Sequence, residues 1–360
     1  GIEIVTRGGN LLAVIGDWDS DVSHGLLCKS GRFRSIYDER RRITGPLLRR
    51  NGRLGPASWD EALQAVSDRI KQAEFKNMGI LTSSEATNEA FYLLDELFAK
   101  ELKVRNVGLL NAAVPDIPAK SKGLLKDIGA SDMIIVAGAD PVNNQPVAAF
   151  LIKRAVDKGV RLVVVNDTDN GLDPFAFTNL PLADMGKALE LAARAENPVV
   201  LYGASITKQA LAVMEKIGDK AAFIALEEGV NTRAAVAFGL NNGFDTADIK
   251  VLYLLAGEEN IKDRQILERI DKDAFVTVQA SFSSPLTDKA DVVLPMAIWS
   301  ERTGSLTNIE GRVQTVRKAL EPKGEAKPDW EILSLLARKL GRKLGGSLEE
   351  VTARAAERLK

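Results

Sequence analysis

Ala290-Asp291-Val292-Val293-Leu294-Pro295 is the stretch whose reading decides the fold. Its three consecutive apolar residues, two of them β-branched, make a short strand without alternation, the pattern of burial on both faces. Pro295 ends it, because proline donates no ladder hydrogen bond and turns the residue before it away from helix. A polar stretch follows, carrying Glu301, Gly304, Asn308, Glu310-Gly311-Arg312 and Gln314. Pro328-Asp329-Trp330 then heads an amphipathic segment that runs to Leu340. Connections longer than about a dozen residues inside a compact domain are usually functional or disordered, and this one is too specifically polar for a linker.

The same alternation extends outward through the chain. Ser58-Trp59-Asp60-Glu61 is a capping box, and the helix it opens carries Ala62, Leu63, Val66 and Ile70 on one face. Met78–Leu81 is a strand, Thr82-Ser83-Ser84 a turn, and Ala90, Leu93, Leu94, Leu97 and Phe98 recur at helical spacing. Met133–Ala137, Arg161–Val165, Pro198–Tyr202, Ala222–Leu226, Val251–Leu255 and Phe275–Val278 are further strands. Helices are expected at Val147–Lys158, Lys208–Ile217 and Arg264–Ile270. This order predicts an α/β, doubly wound fold with mainly parallel sheets in two interleaved Rossmann-like subdomains.

The expected division puts about 55–105 with 190–345 in one subdomain and 106–189 in the other. Asn170–Pro181, rich in Asp, Asn, Gly and Pro, reads as a connection between them. A second capping box at Ser347–Glu350 starts a terminal helix, 346–360, expected to be peripheral. Residues 1–54 form a small β-rich segment that opens with strands at Ile2–Val5 and Leu11–Ile15 around Arg7-Gly8-Gly9-Asn10.

Composition narrows the function. A net charge of −1 gives no global field toward nucleic acid or an anionic membrane. No apolar run approaches the ~18 residues of a membrane span, so no direct insertion is expected. Lys29, Arg32, Arg34, Arg40, Arg41, Arg42, Arg49, Arg50 and Arg53 make a local basic patch against Asp38 and Glu39. With aromatics sparse and no binding motif beside it, it reads as a solvated or partner-facing surface. Cys28 is the one cysteine, so no intrachain disulfide forms and a reducing, cytoplasmic setting is expected. With His24 the only histidine, a four-ligand Cys/His zinc site is excluded, and no nucleophile elbow accompanies it for a hydrolytic triad. The chain starts at Gly1 rather than Met and reads as an excised piece of a longer protein.

Two turns follow buried strands closely enough to matter. Ile134 through Pro141 gives a strand, Gly138, an acidic turn and the helix containing Pro146; Leu201-Tyr202-Gly203-Ala204-Ser205 is the second. Ligands of doubly wound sheets bind at such carboxyl ends, where backbone amides can cradle a phosphate. Neither spacing is a dinucleotide fingerprint or a P-loop, so on the residues alone both turns read first as architecture.

Taken in order, these segments resemble the molybdopterin oxidoreductase family. The matching pieces are Cys28 with Gly31-Arg32-Phe33, then Pro46-Leu47, Arg49 and Gly52, then Ser58 through Leu63. Asn88-Glu89, Gly138-Ala139-Asp140-Pro141 with Pro146, and the Ala290–Trp330 signature complete the match over nearly the whole chain. Asn231, Gly239-Leu240-Asn241, Gly243 and Lys250–Leu255 resemble the branch that forms the large iron–sulfur subunit of NADH-quinone oxidoreductase. Formate dehydrogenase alpha subunits are the near alternative.

The resemblance implies that residues 1–54 are the remnant of an iron–sulfur domain. In it Cys28 is the fourth ligand of a 4Fe–4S cluster whose other cysteines, in a C-x2-C-x3-C pattern, precede Gly1. The positions matching a molybdopterin guanine dinucleotide site are Gly138, Asp140, Pro141, Asp167 and Gly203, and they are degenerate. Asn166-Asp167-Thr168 stands where nucleotide-binding members carry Asp-Pro-Arg, which leaves a ribose contact for Asp167 but no phosphate-pairing arginine. Asn106 to Pro118, where formate dehydrogenases place a metal-binding Cys or selenocysteine near a His, has neither; Asp116 or Ser121 would be the remaining oxygen ligands. The expectation is a scaffold without molybdenum catalysis, catalytic residues or a cofactor of its own, joined to other subunits of a redox complex peripheral to the inner membrane. A formate dehydrogenase fragment and a nucleotide-binding or interaction module are the alternatives. Glu310 and Arg312 are expected to fix their loop as an ion pair.

Overall fold

A computed structural model of the chain describes residues 1–110, 123–241, 243–261 and 265–359. The candidate oxygen ligands Asp116 and Ser121 lie outside the described residues. An antiparallel hairpin opens the chain, β1 (Ile2–Arg7) and β2 (Asn10–Gly16), turned by Gly8 and Gly9 at φ 57° and 76°. Glycine enters that left-handed region without a Cβ penalty. β3 (Leu47–Arg50), β4 (Arg53–Pro56), β5 (Met78–Thr82) and β6 (Asn106–Leu109) follow. Next come β7 (Met133–Ala137), β8 (Arg161–Val165), β9 (Thr178–Leu180), β10 (Pro198–Tyr202) and β11 (Ala222–Ala225). β12 (Val251–Gly257), β13 (Phe275–Ala280) and β14 (Val292–Pro295) precede a last hairpin, β15 (Gly304–Thr307) and β16 (Val313–Val316).

Two sheets organise these strands. The seven-stranded sheet has the order β4-β3-β14-β13-β12-β5-β6, parallel from β14 to β6, with β3 and β4 antiparallel at one end. The five-stranded sheet, β11-β10-β7-β8-β9, is parallel throughout. The mainly parallel α/β architecture and the small β-rich start agree with the sequence reading. Strands β5, β7, β10, β12 and β14 are buried at every residue. Their side chains still alternate between faces: Ile80 enters one apolar cluster and Leu81 another, as do Ile135 and Ile134 in the second sheet. Four clusters therefore cover two sheets on both sides, and each fully buried Leu or Ile contributes ~1.5–3 kcal/mol.

Helices supply the cover. The helix Trp59–Gln72 buries Ala62, Leu63, Val66 and Ile70. Its start is fixed reciprocally, Ser58 N–H to Glu61 Oε2 at 2.9 Å and Glu61 N–H to Ser58 Oγ at 3.2 Å. The helix Asn88–Leu94 is buried along its whole length and continues into a π-helical turn, Asp95–Glu101. No helix among the described residues is long and apolar enough to cross a membrane.

Strand membership departs from the expected division. Asn106 lies opposite Gly79 of β5, and Val199 lies opposite Ile134 of β7. Residues 106–109 thus join the seven-stranded sheet and 198–225 the five-stranded one. Asn170–Pro181 contains β9, the edge of the sheet that also holds β8, so it connects strands within one sheet. Apolar strands are interchangeable by composition; register, a non-local property, assigns them. β3 and β4 also belong to the large sheet, so of residues 1–54 only the β1–β2 hairpin forms a sheet of its own. Nor is the terminal helix, Leu348–Arg358, peripheral. Val351 and Ala355 enter the largest apolar cluster, and Thr352 Oγ1 donates to Glu89 Oε1 at 2.9 Å. Two buried apolar positions on an otherwise polar helix give too narrow a stripe to read from sequence.

Candidate functional site

The parallel order brings the carboxyl ends of β7, β8 and β10 to one rim, and with them Gly138, Asp140, Pro141, Asp167 and Gly203. Gly138 has φ 57°, and a Cβ on it would meet Ile206 N at 2.5 Å; one on Gly203 would meet Gly138 O at 2.6 Å. Gly203 N–H donates to Ala137 O at 3.0 Å and Ser205 N–H to Gly138 O at 3.2 Å. The glycines thus let two turns close on each other, backbone against backbone. Asp140 caps the short helix Pro141–Asn144, its Oδ1 accepting from Asn143 N–H at 3.4 Å and its Oδ2 from Asn143 Nδ2 at 2.6 Å. Asp167 stands apart: its Oδ1 accepts from Leu182 N–H at 2.9 Å, in a pocket of about 420 Å³ shared with Asp169 and Asp173. Three carboxylates around one opening repel a phosphate.

Cys28 belongs to the other sheet's surroundings. It caps the short helix Lys29–Phe33, its Sγ accepting Gly31 N–H at 3.3 Å. Asp17 N–H and Ser23 Oγ donate to Gly1 O at 3.1 and 3.0 Å, holding the start of the first hairpin against the turn that feeds Cys28. Part of the basic segment that follows reaches inward. Arg34 donates to Glu85 Oε1 at 3.4 Å and Glu258 O at 3.2 Å, and Arg40 to Glu259 O at 2.9 Å. Arg42 grips Glu301 with two bonds, 2.8 and 2.6 Å, and Trp299 Nε1 donates to Ser35 Oγ at 2.7 Å. Arg49 donates to Asp288 O at 2.7 Å and Arg50 pairs with Glu61 at 2.7 Å. Part of the patch is therefore a clamp on the seven-stranded sheet, while Lys29, Arg34, Arg41, Arg50 and Arg53 are exposed, as expected of a surface. Charge density shows in sequence; partners far along the chain do not.

The clamp lands on a group of side chains that the sequence reading did not single out. Ser83 Oγ donates to Glu259 Oε1 at 2.9 Å and accepts from Glu85 N–H at 2.9 Å. Arg302, 2% exposed, donates to Glu85 O at 2.6 Å and lies 3.4 Å from Asp329 and 4.0 Å from Glu258. Glu258 Oε1 accepts from Trp299 N–H at 2.6 Å. Burial pushes the Glu85 carboxyl up to about 7, Glu259 and Glu258 add to the rise, and Arg34 opposes it. Burial raises Glu258 as well. One available signal was position: Glu85 follows β5 and Glu258-Glu259 follow β12, both at carboxyl ends of buried parallel strands. Glu227, after β11, is likewise pushed up to about 7 by burial, against the pull of Arg233 at 3.0 Å.

The signature that follows β14 is bound from beneath. Ser305 N–H and Oγ donate to Glu89 Oε2 and Oε1, both at 2.8 Å, and Asn88 Nδ2 donates to Ser305 Oγ at 3.0 Å. Thr307 N–H donates to Asn231 Oδ1 at 2.6 Å, and Asn231 Nδ2 to Ala86 O at 2.8 Å. Asp329 accepts from Thr87 N–H at 2.8 Å and Thr87 Oγ1 at 3.1 Å. Glu310 does not pair with Arg312. Asn308 Oδ1 closes the turn by accepting from Glu310 N–H and Arg312 N–H, and Gly311 takes φ 79°. The Glu310 carboxylate is thereby turned to Leu125 N–H, 2.8 Å away. Among the described residues no group of three or more His, Cys, Asp or Glu side chains is disposed to hold a metal ion.

A family model described as molybdopterin oxidoreductase matches residues 42–339. The chain is similar to an NADH-quinone oxidoreductase subunit of Rickettsia bellii, 28% identical over 93% of this chain and 52% of the relative. It is also similar to the alpha subunit of the F420-dependent formate dehydrogenase of Methanocaldococcus jannaschii, 22% identical over 95% of this chain and 68% of that one. Among solved structures, acetylene hydratase from Pelobacter acetylenicus shares the fold, with a TM-score of 0.59 at 14% identity, covering 98% of this chain and 68% of that chain. The chain spans about half the length of the NADH-quinone oxidoreductase relatives it matches.

Proposed function

The chain belongs to the molybdopterin oxidoreductase family, and from that membership we propose that it is a scaffold domain of the large iron–sulfur subunit of an NADH-quinone oxidoreductase, without molybdenum catalysis of its own. The observation that carries this reading is the closed rim of the five-stranded sheet. Gly138 and Gly203 are packed against each other's turns, and Asp140 is spent on a helix cap. Asp167 faces two further carboxylates. A dinucleotide site leaves backbone donors free for phosphate; here Gly203 N–H and Ser205 N–H are already bonded. These five positions are, in this proposal, architectural survivors of a cofactor site.

Cys28 supports the electron-transfer part. A 4Fe–4S cluster takes up and releases single electrons and is held by four thiolates. This chain has one cysteine, so the other ligands come from sequence outside these residues. Gly31 N–H is directed at the Cys28 Sγ, 3.3 Å away, and hydrogen bonds to cluster sulfurs are among the contacts that tune such a centre. Arg34, Arg40 and Arg42 then seat the cysteine-bearing segment on the large sheet. NADH, flavin and quinone are assigned to other subunits of the complex, on the cytoplasmic side of the membrane.

Metal analysis and EPR of the full-length protein test the reading. Iron without stoichiometric molybdenum or tungsten is expected, and Cys28→Ser should remove the signal of one reduced cluster without changing the circular dichroism. Stoichiometric molybdenum or tungsten would defeat the scaffold reading in favour of the formate dehydrogenase alternative.

A further inference from the structure

We infer that the seven-stranded sheet carries a binding site for a small monocarboxylate with a ring-sized apolar body, in a cavity of about 200 Å³ beside the carboxyl ends of β5 and β6. Leu81 of β5, Leu109 of β6 and Leu286 of the helix Pro285–Lys289 line it, with Ile261 and Ile266. An apolar cavity of ~150 Å³ walled by such side chains stays dry and takes benzene, so this one has room for a ring bearing one small group.

The walls are already in place. Phe244, a further wall residue, is seated over two glycines: a Cβ on Gly79 would meet its ring at 2.8 Å, and one on Gly108 would meet its Cβ at 2.8 Å. The loop carrying Phe244 is tied to β6 by Asn106, whose Nδ2 donates to Asp245 O at 2.6 Å and whose Oδ1 accepts from Asp245 N–H at 2.9 Å. Small-ligand sites are built this way, from preformed apolar walls and a few polar groups that fix orientation. Here the polar groups are Thr246 and Arg269. Arg269 is exposed, and among the described residues it forms neither an ion pair nor a side-chain hydrogen bond. Asp271, two residues on, is taken by Lys250. A guanidinium left without a counter-charge beside an apolar hollow selects an anion, and its planar fork fits a carboxylate through two parallel bonds. The hollow thus sets the size of the ligand's body, and Arg269 the charge of its head. The lining includes neither Cys28 nor any residue of the five-stranded sheet's rim, so failure of this inference leaves the iron–sulfur reading untouched.

Fluorine NMR of para-fluorobenzoate titrated with the whole chain tests the site. Saturable binding is expected, and acetate, which has the head without the body, should not displace the probe. Arg269→Gln should weaken fluorobenzoate by about tenfold and leave the binding of fluorobenzene unchanged. Thr246→Trp, whose indole occupies the hollow, should abolish both. Absence of saturable fluorobenzoate binding would overturn the inference, as would equal affinity in Arg269→Gln. Displacement by acetate as readily as by unlabelled benzoate would overturn it too, by showing that the apolar walls contribute nothing. If Thr246→Trp does not fold, the exposed Arg269→Gln and the acetate competition still decide.

Discussion

Asn231 ties two segments to its own, the turn after β5 and the strand β15. Its backbone N–H donates to Ser84 O at 3.0 Å, its Nδ2 to Ala86 O, and its Oδ1 accepts from Thr307 N–H, all in a site closed to water. An orphaned buried polar group costs about 1–3 kcal/mol. Asn231→Ala orphans two, so a loss of ~2–5 kcal/mol is expected in urea denaturation; a loss of a few tenths would mean that water replaces both bonds. The residue itself was legible in sequence as part of Asn231…Gly243, but its partners were not. A side-chain amide shows no preference on paper for a loop after β5 over a strand seventy-odd residues on. The same holds for Glu85 and Arg302, whose importance lies in who surrounds them.

At the scale of elements, glycines separate packing from mere flexibility. A Cβ on Gly203 would meet Gly138 O at 2.6 Å and Ala139 Cβ at 2.8 Å, so Gly203→Ala must spread the two turns. Overpacking of this kind costs ~1–3 kcal/mol. Gly186, inside the helix Met185–Ala193, has nothing within 4 Å of an added Cβ. Gly186→Ala should therefore stabilise by ~0.5–1 kcal/mol from helix propensity. Thermal denaturation of the two variants should move in opposite directions, and a fall in both would refute the contrast. Elements of this sort were the most legible part of the chain. Apolar runs marked β5, β7, β12 and β14, and Ser58–Glu61 marked a helix start that forms as expected. Their assignment to sheets was not legible, because β6 and β10 carry the same apolar residues whichever neighbour they take.

At the scale of the whole molecule, the buried carboxyls set the pH profile. Glu85 and Glu227 both titrate at about 7 against an ordinary 4.5, so the folded chain binds more protons than the unfolded one between those values. Their stabilisation is complete below that window and is lost as pH rises through about 7. Asp38 acts oppositely: its bond to Arg40 lowers it from 3.8, and its contribution disappears as pH falls through its folded value. Calorimetry should find the highest melting temperature near pH 5, a decline to about pH 7 and a plateau, with Glu227→Gln shallower. A melting temperature still climbing between pH 5 and 7 would contradict the assignment. The overall α/β class was readable from the alternation of elements; the burial of these carboxyls was not, since Glu85 is surrounded by Arg34, Glu258, Glu259 and Arg302 from distant parts of the chain. The two large sheets also have guarded outer margins. The edge strands of these two sheets, β4, β6, β9 and β11, are only three or four residues long, and β4 carries Arg53 and ends in Pro56. Short, charged or proline-ended margins offer a foreign strand no template. The two sheets are thereby protected from strand-by-strand addition of other copies.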